Sequence, residues 1–332
     1  MATDAAPSIS LDWARRINGP SFPRRMARLA RHHPLGVFGL VVLLGFVFLG
    51  IFGPYIAPYD PRALSTGRQL SGPSFAHPFG TNSLGQDIFS RVIAGARISL
   101  EIAGASIFIG ASIGSFLGIL AGYYGRWVDY VVQRSSEAFS AFPFLVIYFL
   151  LRTALGTGVE VIIVAIAIQA LFGGNRILRG ATIIERNAIY VEAARATGCS
   201  EKRILFRHVI PNVLPLTVVL MSGALGGAIL AESALAFLGL GVAGVPSWGL
   251  DMSGDNLAFA RTGYWHLVIF PGLAISLVVL AANLLGDSLR DIWDPRLRKQ
   301  DQPSQRAGVR ISRTIPSCPP RSTTIWAASA PR

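Results

Sequence analysis

Charge is scarce in this chain. Only 14% of its 332 residues are Asp, Glu, Lys or Arg, against roughly a quarter in soluble domains. Beside a hydrophobic content of 52% and a mean hydropathy of +0.49, that shortage excludes a disordered or collagen-like chain and almost any soluble enzyme. Cysteine is scarcer still. Cys199 and Cys318 are the only two, too few for a disulfide framework or a cysteine-rich zinc module. The five histidines (His32, His33, His77, His208 and His266) are scattered and no H-E-x-x-H occurs, so a metal site has no support. No G-x-x-x-x-G-K-[ST] loop is present either, which leaves the chain without that device for holding ATP. Acidic residues are few beside basic ones, 18 against 30, for a net charge of +12. Such an excess raises nucleic acid or an anionic surface as a partner.

What the chain has in plenty is long apolar runs. A spanning helix needs about 20 mostly apolar residues, because lipid offers its backbone no hydrogen-bond partners. Six segments qualify: 35–57; 102–122, with Glu101 at its start; a third from about Val128 through 142–151, which includes Arg134 and Glu137; 156–173, with Gln169; 213–240, with Glu232; and 267–285, with Pro271 and Asn283. The first is too long and starts too late for the apolar part of a signal peptide. With the N-terminus inside, 24 of the 30 basic residues fall in the inner segments, so both termini are predicted to be cytoplasmic. The chain then divides into a basic N-terminus 1–34, a first helix 35–57, an outer loop 58–97, a five-helix core 98–288 and a tail 289–332. Within the outer loop, 79–87 reads as a structured turn and 88–100 as an amphipathic stretch along the membrane surface. The tail beyond 300 is rich in Pro, Ser, Thr and Arg and reads as disordered.

Gly110, Gly114, Gly118 and Gly122 recur every fourth residue. Such spacing bares one helix face and lets another backbone approach. Gly223, Gly227 and Ala231 repeat the pattern. Static packing and a bundle that shifts during a cycle are both open readings. Gly110-Ala111-Ser112-Ile113-Gly114 also matches G-x-S-x-G, but that elbow requires a preceding strand, so a catalytic serine is rejected. Charges at membrane depth usually face a cavity or a partner. Arg134 and Glu137 can pair with each other, and for Glu232 a translocation path and an interhelical contact are both open.

The inner segment 185–211 carries the most information. A helix is predicted from about Glu185 to Thr197, with Gly198 as its left-handed stop. Ser200 is placed as the cap of a second helix, which Pro211 ends. The result is two short helices around a glycine turn, with Ala193, Ala194 and Ala196 giving a low-relief surface that a groove on another protein could accept. DNA binding by this basic helix pair is disfavoured by its tether to two spans. Docking to a cytoplasmic partner is the better reading.

Glu192, Ala193, Ala194 and Gly198, followed by Ile210-Pro211, resemble the E-A-A-x-x-x-G signature of permease subunits in binding-protein-dependent ABC importers. Segments 79–100, 121–125, 231–241, 246–249 and 283–296 look like the peptide/nickel class, and within it the second of two paired membrane subunits. The resemblance covers roughly 35–298; Arg152 and the tail depart from it. It implies an all-α membrane protein of six transmembrane helices with the type I ABC importer permease fold, multi-pass in the inner membrane. It further implies a pore shared with a second permease subunit, two cytoplasmic ATPase subunits that bind ATP and Mg, and an extracytoplasmic solute-binding protein. No cofactor or nucleic acid is implied for this chain. Glu192, Ala193, Ala194 and Gly198 would couple it to the ATPases, and peptides, nickel or another small solute would be the cargo. A stand-alone proton-coupled transporter using Glu232 or Glu137 is the rival from another class.

Overall fold

The structure is a computed structural model that describes residues 31, 33–242 and 244–293. The basic N-terminus up to residue 30 and the tail beyond 293 lie outside the described residues. Eleven α-helices occupy the rest, with no strand among the described residues: α1 (Pro34–Ile56), α2 (Ile88–Tyr124), α3 (Arg126–Ser140), α4 (Phe144–Leu155), α5 (Val159–Arg186), α6 (Ile189–Ala196), α7 (Glu201–Ile204), α8 (Ile210–Phe237), α9 (Trp248–Asp251), α10 (Gly254–Arg261) and α11 (His266–Trp293). Five helices are long and apolar enough to span a membrane, and α3 with α4 forms a bent pair that makes a sixth span. Residues 187–200 lie at one end of the bundle, here the loop end; residues 57–87 and 238–265 lie at the other, the cap end.

Helix α2 is the axis of the fold and packs most extensively against α5. The reason lies in its glycines. A methyl on Gly118 would stand 2.5 Å from the Asn175 carbonyl oxygen and one on Gly122 2.6 Å from that of Arg179, while Gly110 and Gly114 meet the carbonyls of Ala167 and Leu171 in the same way. Each step of four on α2 matches a step of four on α5, so two backbones run in contact for three turns. The fifth-span glycines behave differently. Gly223 and Gly227 face open space within the chain, and the close approach of α8 to α11 is made by Gly226, near the Asn283 side chain, and by Gly286, beside the backbone of Gly223. Gly223 thus meets α11 through its main chain, whereas a methyl on Gly227 would meet nothing within 4 Å inside this chain. Helix α1 is held by a glycine face that its apolar run conceals: Gly39 abuts Ala281 of α11, and Gly53 abuts Ile93 of α2.

Two further expectations change. Segment 88–100 is not a separate surface stretch but the first third of the 37-residue α2, which at 1.5 Å per residue is about 55 Å long. Asp87 caps it, accepting from the Ser90 N–H at 2.8 Å. The third span is not one helix: its halves meet at 91°. Pro143 has no N–H to continue the ladder, and its ring disfavours helical backbone at Phe142. Helix α3 climbs obliquely along α5, with Asp129 on Arg179 at 2.5 Å, Ser136 on Asn175 at 2.6 Å, and Phe139 stacked on Phe172. The expected Arg134–Glu137 pair forms, at 2.9 Å and on the surface.

At the cap end, segment 58–87 is folded onto the start of α2 by buried polar contacts. Arg91 donates to Asp251 at 2.7 Å and to Gln86 at 3.0 Å, while His77 and Asp87 meet at 3.0 Å. Burial pushes the Asp251 carboxyl up, against the pull of Arg91. Trp248 of α9 is fully buried and donates to the Val92 carbonyl at 2.8 Å.

Candidate functional site

The segment between α5 and α8 is built as an exposed helix on a pinned base. Helix α5 runs on to Arg186, and a break at Asn187-Ala188 separates it from α6, so the single helix expected over 185–197 is two. Val191 is fully buried with Ile204, Leu205, Val209 and Leu178 in a local core. The opposite face of α6 presents Glu192, Ala193 and Ala196 to the outside, with Ala194 half-buried, and Ile189 is 85% exposed.

Gly198 stops α6 in the manner the sequence suggested. Its φ is +81°, its N–H donates to the Arg195 carbonyl at 2.9 Å, and the Cys199 N–H donates to that of Ala194 at 3.1 Å. This pair of bonds is the Schellman closure, and it needs a left-handed residue at the Gly198 position. Ser200 precedes α7 but makes no side-chain cap bond, so the capping expectation fails. Pro211 does not end the second helix either. Residues Leu205–Val209 form a π-helical turn that runs into α8, with the Ile210 N–H donating to the Leu205 carbonyl. The wider turn absorbs the missing proline N–H, and Asn212 Nδ2 donates to the His208 carbonyl at 3.0 Å.

Three spans hold this unit. Tyr190 donates its hydroxyl to Glu185 of α5 and accepts from Asn212 of α8 at 2.9 Å. Burial and that carboxylate both raise the phenol's pKa. Glu201 receives the Tyr123 hydroxyl of α2 and, at 3.1 Å, Nε of Arg195, a bond that raises the guanidinium pKa. Arg186 closes the ring by donating to the Tyr123 carbonyl at 2.7 Å. A push on α6 therefore reaches α2, α5 and α8 together. None of Tyr123, Glu201 or Tyr190 stands out in the sequence, since their partners are 78 residues away in one case and no local spacing links them.

Glu232 belongs elsewhere. It is 2% exposed, and its carboxylate accepts from Ser99 at 2.9 Å and Ser233 at 3.3 Å. Ser99 lies on α2, so Glu232 ties two helices together inside this chain. A candidate metal cluster of three His, Cys, Asp or Glu side chains is absent among the described residues.

Residues 114–299 match the family described as binding-protein-dependent transport system inner membrane component, and 21–73 match the N-terminal transmembrane domain of oligopeptide transport permease C. The chain is similar to a glutathione transport system permease protein of Pectobacterium atrosepticum, with 39% identity over 82% of this chain and 90% of the relative. A dipeptide transport system permease protein of Alkalihalophilus pseudofirmus shares 36% over 83% and 90%. A glutathione permease protein of Escherichia coli shares 40% over 82% and 89%. With five to six apolar spans, these likenesses make the chain a multi-pass inner membrane protein and a transport subunit rather than an enzyme.

Proposed function

Because the chain belongs to the family of inner membrane components of binding-protein-dependent transport systems, we propose that it is one of two paired permease subunits of an ATP-driven importer for dipeptides, glutathione or peptides of similar size. Substrate reaches it from an extracytoplasmic binding protein, and ATP is bound and hydrolysed by separate cytoplasmic subunits. Helix α6, with Glu192, Ala193 and Ala194, sits in a groove of one ATPase subunit, and the loop end of the bundle is cytoplasmic. The observation that carries this reading is the exposed face of α6 above a base fixed to three spans. Movement of the ATPase would be passed through Val191 and Glu201 to α2 and α8 rather than lost in a loose loop. The α2–α5 glycine contact makes those two helices one rigid body, so the motion falls at the less intimate contacts around it.

The test is uptake into proteoliposomes holding this chain with its second permease, ATPase pair and binding protein. ATP-dependent accumulation of a labelled dipeptide or glutathione is expected, abolished when the ATPase or the binding protein is omitted. Proton-driven uptake by this chain alone would refute the proposal.

A further inference from the structure

The break in the third span is exposed, and it falls beside the middle of α5. Phe139, just before it, stacks on Phe172, midway along the 28 residues of that helix. A helix end leaves its last carbonyls unpaired, and the next helix leaves its first N–H groups unpaired. Few bonds close this gap: Ala141 N–H to Glu137 at 3.1 Å, Phe142 N–H to Phe139 at 3.3 Å, and Val146 N–H to Pro143 at 2.9 Å. Among the described residues the carbonyls of Ser140, Ala141 and Phe142 receive no backbone donor. Ala141, Phe142 and Pro143 are all exposed, so this chain does not bury them.

Irregular backbone at membrane depth is tolerated where protein covers it or where it lines water, not against lipid. The groups around the break favour water. A cavity of about 260 Å³ opens there, walled by Phe139, Phe142, Phe144 and Phe172, with Gln169 also in its lining. Gln169 is exposed, and Arg176, two turns further along the same side of α5, is exposed too. Polar groups so placed would be costly against acyl chains.

Resting on the importer reading above, we infer that residues 141–143 and Gln169 line the water-filled route through the transporter and touch the passing peptide. A peptide backbone offers both N–H donors and carbonyl acceptors. The free carbonyls at the break match the former, the Gln169 carboxamide matches either, and the phenyl walls take apolar side chains. Several weak contacts of this kind let a solute enter and leave, whereas one tight site would trap it.

The experiment uses the assembled transporter in membranes, with Gln169→Cys and Phe142→Cys introduced singly. A charged, bilayer-impermeant methanethiosulfonate is the probe; the unsubstituted chain gives the background from Cys199 and Cys318, and Phe108→Cys on the exposed apolar face of α2 is the reference. Reaction at 169 and 142 is expected to be at least about tenfold faster than at 108, because a thiol in apolar surroundings stays protonated and inert. Saturating dipeptide should slow it. Rates equal to the reference, or disulfide cross-linking to the second permease in place of labelling, would overturn the inference, and labelling unmoved by dipeptide would remove the peptide contact. Labelling is read without transport. Lost labelling with intact ATP-driven uptake therefore sinks this inference alone, and lost uptake with intact labelling sinks the importer reading alone.

Discussion

Gly118→Ala puts the α2–α5 contact under direct test. The added methyl would lie 2.5 Å from the Asn175 carbonyl oxygen, where ordinary contact begins at 3.4 Å, so the helices must part by about 0.9 Å. Neither side can yield locally: the obstacle is main chain inside α5, and the Asn175 side chain is bonded to Ser136 at 2.6 Å. Overpacking of this sort costs about 1–3 kcal/mol, offset in part by the gain of about 1 kcal/mol when alanine replaces glycine in a helix. A net loss of up to about 2 kcal/mol is expected, and a gap of about 1–3 kcal/mol from a variant that has the propensity gain alone. Gly223→Ala is the control, since a methyl there meets nothing within 4 Å; it keeps the propensity gain and should be neutral to stabilising in the isolated chain. Heat-induced loss of the monodisperse peak of detergent-purified chain measures both. Gly118→Ala together with Gly122→Ala should cost less than the sum of the singles, because one separation relieves both. Equal midpoints for Gly118→Ala and Gly223→Ala would refute the backbone-contact argument.

Gly198→Val should leave membrane insertion intact while uptake falls and ATP hydrolysis persists, because nothing crowds that position and the penalty is the left-handed backbone alone, about 1–2 kcal/mol; uptake and ATPase rates in proteoliposomes check it. Arg91→Ala leaves the Asp251 carboxylate buried without its partner, a loss on the order of 3–5 kcal/mol, and Arg91→Ala with Asp251→Asn should recover part of it, as a thermal-shift double-mutant cycle would show. Glu201→Gln removes the charge that holds Arg195 and Tyr123. Hydrogen exchange should then quicken across α6 while α1 stays unchanged.

The spans were legible in the sequence because lipid imposes one rule on every backbone group, and the glycine stripe of α2 because a period of four survives without knowledge of the partner. The Schellman turn at Gly198 was legible for a local reason, the need for a left-handed residue after a helix. What was missed depends on neighbours remote in the chain. The phase of α8 relative to α11 placed Gly226 beside Asn283, and Ser99 tied Glu232 to α2. The break at 141–143 was signalled by Pro143 but masked by the apolar residues after it, and the π turn before Pro211 replaced a helix end by a wider helix. In the loop, the exposed alanines could be read, whereas the Tyr123–Glu201–Arg195 anchor could not, since it joins residues that only the fold brings together.

The central claim is that α6 docks on a cytoplasmic ATPase and drives the spans. A photoactivatable amino acid replacing Ala193 in the assembled transporter tests it most directly, with the same substitution at Ile109, exposed on α2, as reference. The account predicts a cross-link from position 193 to the ATPase subunit whose yield changes between nucleotide-free and ATP-bound complex, and no ATPase cross-link from position 109. An ATPase cross-link absent at 193, in a complex that still imports peptide with ATP, would contradict it.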